Sequence, residues 1–72
     1  MAEQFVSFTT WAEVLEHVRS RASVYYHPPL NYRPAFVRAK VRGNRVRVTP
    51  CDRDAGPFTA DEKHLDRFRR QV

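Results

Sequence analysis

Hydrophobic and polar positions alternate most regularly over residues 35–49, Ala-Phe-Val-Arg-Ala-Lys-Val-Arg-Gly-Asn-Arg-Val-Arg-Val-Thr. Successive side chains of a strand point to opposite faces, so Val37, Ala39 and Val41 share one side of a first strand, and Val46 and Val48 share one side of a second. Gly43-Asn44 between them predicts a two-residue hairpin turn, because glycine accepts the positive φ that a tight turn requires. The turn fixes the register: Arg42 faces Arg45, Val41 faces Val46, Lys40 faces Arg47 and Ala39 faces Val48. The valines then lie together. Phe36, Arg38, Lys40, Arg42, Arg45 and Arg47 occupy the other side, with no acid among them. Directly opposed like charges destabilise a sheet, and a polyanion or an acidic partner would relieve that repulsion.

Upstream the period changes. Trp11, Val14, Leu15, Val18 and Ala22 recur at helical spacing and predict an amphipathic helix over 10–22 that covers the valine side of the hairpin. Thr10 and Glu13 form the capping-box pattern, Glu13 and Glu16 lie early and Arg19 and Arg21 late, as the helix dipole favours. Residues 23–27, Ser-Val-Tyr-Tyr-His, read as a short strand with Val24 and Tyr26 on one face and Tyr25 and His27 on the other. Three prolines in 28–34 predict a stiff loop with a turn near Asn31. Phe5, Val6 and Phe8 suggest an edge strand or an arm laid over the core. Residues 50–57 are loop by composition. Thr59 to Glu62 repeats the capping-box pattern, with Phe58 as a staple, and opens a second helix over about 60–70 whose apolar side holds Leu65, Phe68 and Val72.

The resulting order is helix, strand, strand, strand, helix. It predicts a two-layer α+β fold with a three-stranded antiparallel sheet, formed by residues 1–72 as a single domain. In layout it resembles double-stranded-RNA-binding-type domains, including small toxins built on that plan. The Gly-Ser-His triplet of such toxins is missing, so no residue role carries over. A small SH3-like barrel with flanking helices, in which residues 5–8 add a strand, is the competing fold. At 72 residues, the chain buries only about 60% of its unfolded surface, so the core is small. A hydrophobic fraction of 42% argues against wholesale disorder.

Charge sharpens the picture. The formal net charge is +5, and its location decides what it means. Residues 1–32 sum to −1, residues 50–72 to zero and residues 33–49 to +6. The whole excess therefore sits in and beside the hairpin, where a solvated surface would intersperse its signs. Eleven of the thirteen bases are arginine, whose planar fork suits phosphate and carboxylate. Arginine bias also follows from GC-rich coding, and strand cations also protect sheet edges from aggregation. Pairing of the arginines with Asp52, Asp54, Asp61 or Asp66 is a further way to account for them.

The candidate chemistry is therefore binding more than catalysis. Arg33, Arg38, Lys40, Arg42, Arg45 and Arg47, with Phe36 and Tyr32, make a nucleic-acid-binding set, because aromatics among arginines on an open sheet can stack unpaired bases while cations track phosphates. RNA or single strands are favoured over duplex DNA, since no helix-turn-helix pattern appears. A protein-interaction or inhibitor module docking on an acidic surface is the alternative. A metal-free ribonuclease or toxin is a third reading, with His27 as acid or base beside Tyr26 and Arg33 or Arg38. No catalytic residue is assigned. His17, His27, His64 and Cys51 lack ligand-pair spacing, so no metal or cofactor is expected; His17 reads instead as a surface partner of Glu13. Asp52 beside Cys51 would raise the thiol pKa. No stretch has the roughly 20 apolar residues of a bilayer span. A single cysteine and the lack of a signal-peptide pattern suggest the cytoplasm. An edge strand, 5–8 or 23–27, could form a homodimer.

Overall fold

In the computed structural model, which describes residues 4–28, 33–50 and 56–72, the two periods resolve into β1 (Phe5–Ser7), α1 (Trp11–Arg21), β2 (Ser23–Tyr26), β3 (Ala35–Arg42), β4 (Arg45–Pro50), β5 (Phe58–Ala60), a 3-10 turn (Glu62–Arg67) and β6 (Phe68–Gln71). The hairpin of β3 and β4 has the register that its turn dictates, with Arg42 opposite Arg45, Lys40 opposite Arg47 and Ala39 opposite Val48. Gly43 supplies the positive φ of 62°. Asn44 has no such φ, which matches a turn with glycine at its first central position.

The three-stranded sheet is overturned. Six strands form one antiparallel sheet in the order β1-β6-β2-β3-β4-β5, and the likeness in layout to double-stranded-RNA-binding-type domains goes with it. As for the barrel with flanking helices, α1 is the one α-helix among the described residues, and the strand pairings end at β1 and β5 without joining them. Residues 5–7 do form an edge strand, whereas β2 is interior, between β6 and β3.

The second helix is also corrected. Thr59 and Ala60 are strand residues that pair with Arg47 and Val46, so the N-cap moves to Asp61, whose Oδ1 accepts from the Lys63 backbone N–H at 3.0 Å. The helical turn lasts six residues. It stops because Phe68 gains more from the sheet than from a short isolated helix, which is marginal on its own. Phe68 has 0% exposure and lies edge-on to Trp11 and Tyr26, with centroids 5.6 and 5.4 Å away.

The first helix begins at its expected cap. Thr10 Oγ1 accepts from the Glu13 N–H at 3.3 Å, while Glu13 Oε1 is bonded by the Thr10 hydroxyl rather than by its backbone N–H. Trp11, Val14, Leu15 and Val18 are buried. Ala22 departs from the stripe: it is the C-cap, in the left-handed region at φ 56°, and is exposed. The α1 stripe packs on β2, β3 and β4, over Val24, Val37, Ala39, Val46 and Val48. Each valine among them contributes about 1.5–3 kcal/mol when fully buried. At the start of α1, Trp11 Nε1 donates to the Asn44 carbonyl at 2.7 Å, tying the hairpin turn to the helix. The other side of the sheet has no helix packed on it among the described residues.

Candidate nucleic-acid interface

Strand alternation decides what the uncovered side displays. On β3 and β4, Phe36, Arg38, Lys40, Arg42, Arg45 and Arg47 are exposed, while Val37, Ala39, Val46 and Val48 are buried. Arg33 precedes β3 and is exposed as well. Tyr32 lies outside the described residues, as do the turn expected near Asn31, Cys51 and its neighbour Asp52, and Asp54. The cations on each strand stand about 6.8 Å apart, two residues of rise, and the two strands about 4.8 Å apart.

The cation set is unneutralised within the described structure. Among the described residues the one ion pair is His64 with Asp61, at 3.2 Å. His64 Nδ1 can accept from the Asp61 N–H at 3.3 Å when neutral, or donate to the carboxylate when protonated. Asp61 is thereby engaged at its own turn, and among the described residues no ion pair joins Asp66 to the hairpin cations. None of the six strands contains an Asp or Glu. Glu13 and Glu16 lie on α1, and Asp61, Glu62 and Asp66 in or before the 3-10 turn, which packs against α1. The described acids thus keep to the helix side, together with Arg19, Arg21, Lys63 and Arg67, and the open side of β3 and β4 carries bases alone.

An aromatic row completes the surface. Register places Tyr25 opposite Phe36 on one flank and opposite Arg69 on the other. Phe5 lies opposite Gln71. All project to the side away from α1 by strand alternation. The Phe5 and Tyr25 rings are 4.9 Å apart and the Tyr25 and Phe36 rings 5.4 Å, both edge-on. The Tyr25 hydroxyl donates to Gln71 Oε1 at 3.1 Å, which fixes the middle ring. Phe36 is 51% exposed. The row meets the cations at Phe36, two residues from Arg38 on the same face. Arg69 shares this face, but its Nη1 donates to the Asp66 and Phe68 carbonyls and is held against its own backbone.

Of the ribonuclease set, Tyr26 and Arg38 stand on opposite faces of the sheet. Tyr26 turns to the core side, between Phe58 and Phe68, and its hydroxyl accepts from Arg67 Nη1 at 3.4 Å. Arg38 lies opposite Ser23 at the far end of β2 and on the other face. The His27 backbone N–H donates to the Arg67 carbonyl at 2.7 Å. His17 does not form the surface pair with Glu13: it lies half-buried and edge-on to Phe8 at 5.3 Å. No cluster of three or more metal-ligating side chains occurs among the described residues, and no described helix is long and apolar enough to cross a membrane.

Sequence reasoning missed Phe5 and the β6 residues of this surface. Phe68-Arg69-Arg70-Gln71 offers only one apolar position, so its strand period is too short to read. Comparison of the chain with protein-family models, with curated proteins and with solved structures gives no match.

Proposed function

We propose that the chain is a small basic nucleic-acid-binding module that takes RNA or single strands on the open side of its sheet. The observation that carries this reading is the continuity of the aromatic row Phe5, Tyr25 and Phe36 with an acid-free set of exposed cations. Bases stacked on exposed rings contribute about 1–3 kcal/mol each, with little sequence preference. Arg38, Lys40, Arg42, Arg45 and Arg47 follow the phosphates, and each one neutralised releases counterions. A flat strand face lacks the protruding helix that reads duplex major grooves, which favours unpaired strands. The single cysteine fits a reducing, cytoplasmic setting.

The test is a binding titration against salt with single-stranded RNA, single-stranded DNA and duplex. If about five phosphates are engaged, log K against log salt has a slope of roughly −3.5 to −4.5. Replacing Arg38, Lys40 and Arg47 by glutamine lowers that slope by about two to three, whereas Phe36→Ala weakens binding with the slope unchanged. A flat salt dependence defeats the reading. Should an acidic protein be the partner instead, oligonucleotides fail to compete with it for this surface.

A further inference from the structure

The sheet is not continuous from end to end. β6 pairs with β2 only at Tyr25 with Arg69 and Tyr26 with Phe68. Its remaining residues, Arg70 and Gln71, pair with Val6 and Phe5 of β1. Ser23 and Val24 consequently have partners on β3 but none on β6. A slot of ≈ 370 Å³ opens where the strands part.

Residues from both sides of the sheet line this slot. Tyr25, Phe36 and Gln71 come from the open side, and His17, Arg21 and Arg70 from the helix side. No Asp or Glu side chain lines it. Glu13 and Glu16 line an adjoining cleft that shares His17, Arg21 and Arg70 with the slot. Arg21 and Arg70 come from different elements yet both depress the basicity of His17, after burial, the largest cause, so their positive field converges on that ring. The C-terminal end of α1 carries roughly half a negative charge, which two guanidinium groups outweigh. The bonded pair of Tyr25 and Gln71 spans the gap at its mouth.

We infer that this slot binds a terminal phosphate monoester of a single-stranded nucleic acid, held by Arg21, Arg70 and His17 while the last base stacks on Tyr25 and Phe36. The inference rests on the proposed nucleic-acid reading and adds the end of the strand as its ligand. A strand-end monoester suits the slot better than an internal diester. Its charge approaches −2, and its three free oxygens can meet donors arriving from α1 and β6 at once, whereas an internal phosphate offers two and must leave by a second chain exit. Charge-assisted bonds to arginine are the strong class of hydrogen bond, and the planar fork favours phosphate.

Three short single-stranded RNAs of one sequence test this: 5′-phosphorylated, 3′-phosphorylated and with both ends hydroxyl. One phosphorylated form is expected to bind about tenfold more tightly than the hydroxyl form, and which one it is reports the strand polarity. Arg70→Gln and Arg21→Gln each remove that preference and leave the affinity for the hydroxyl form within about twofold. Equal binding of all three RNAs overturns the terminal-phosphate site and leaves the sheet-face reading standing. Loss of hydroxyl-form binding in both variants also overturns it, since the arginines would then serve the general surface. Failure of the unsubstituted protein to bind any of the three overturns both readings together.

Discussion

Ala22 shows how one residue carries strain that its sequence context conceals. It extends the apolar spacing of α1, yet it ends the helix at φ 56°, with its N–H donating to the Val18 carbonyl at 2.8 Å and its carbonyl accepting from the Ala39 N–H at 3.1 Å. A left-handed conformation costs an L-residue about 1–2 kcal/mol, which glycine avoids. Glycine's greater freedom in the unfolded chain offsets about half of that. Ala22→Gly is therefore expected to stabilise the fold by about 0.5–1 kcal/mol, read as a higher urea midpoint at unchanged slope. His17 makes the companion case for pH. Burial, then Arg21, then Arg70 hold its basicity below the ordinary value of 6.5, so the unfolded chain takes up the proton first. Stability should hold steady above about pH 6.5 and fall as pH drops through that value toward the lower folded one. His17→Gln should flatten this decline in urea midpoints. Asp61 acts in a separate window: the Lys63 N–H holds its carboxyl below 3.8, so its contribution persists above that value and is lost only as pH falls through the depressed one.

The elements differ in how far local pattern decides them. The β3–β4 hairpin is fixed by information inside it: alternation sets the faces and Gly43 sets the turn, so both pairing and exposure were legible in the sequence. The α1 helix is legible for the same reason, with its cap at Thr10 and its stripe on one side. The C-terminal segment is not. Leu65, Phe68 and Val72 carry helical spacing, but Phe68 is claimed by the space between Trp11 and Tyr26, and β1 and β2 both supply backbone partners for the residues that follow it. Those partners lie more than forty residues upstream, where no local window can see them. The aromatic row was missed for the same cause, since Phe5 reaches Tyr25 only across β6. This division predicts where the fold is most vulnerable. Phe68→Ala should destabilise by about 3–5 kcal/mol, much of the stability available to a domain of this size. The variant should show a near-unfolded circular dichroism spectrum or a sharply lowered melting temperature.

Across the whole molecule, the described acids keep to the helix side of the sheet, while bases stand on both sides and alone on the open one. Every described acid sits on α1 or in and before the 3-10 turn, while Arg38, Lys40, Arg42, Arg45 and Arg47 stand on the uncovered face. Such a separation orients an approaching polyanion before contact and raises the association rate at low ionic strength. Reversing Arg38, Lys40 and Arg47 to glutamate should therefore slow association and reduce its dependence on salt in stopped-flow measurements, with dissociation changing less. The bond from the Trp11 indole to the Asn44 carbonyl has an optical consequence. Trp11 is the chain's one tryptophan, 5% exposed, and it sits where helix, hairpin tip and Phe68 meet, behind the surface proposed for the nucleic acid. Its emission is a built-in sensor that sees the scaffold and not the cargo: it should shift to the red when the tip peels from the helix, and keep its wavelength while a strand is loaded on the opposite side.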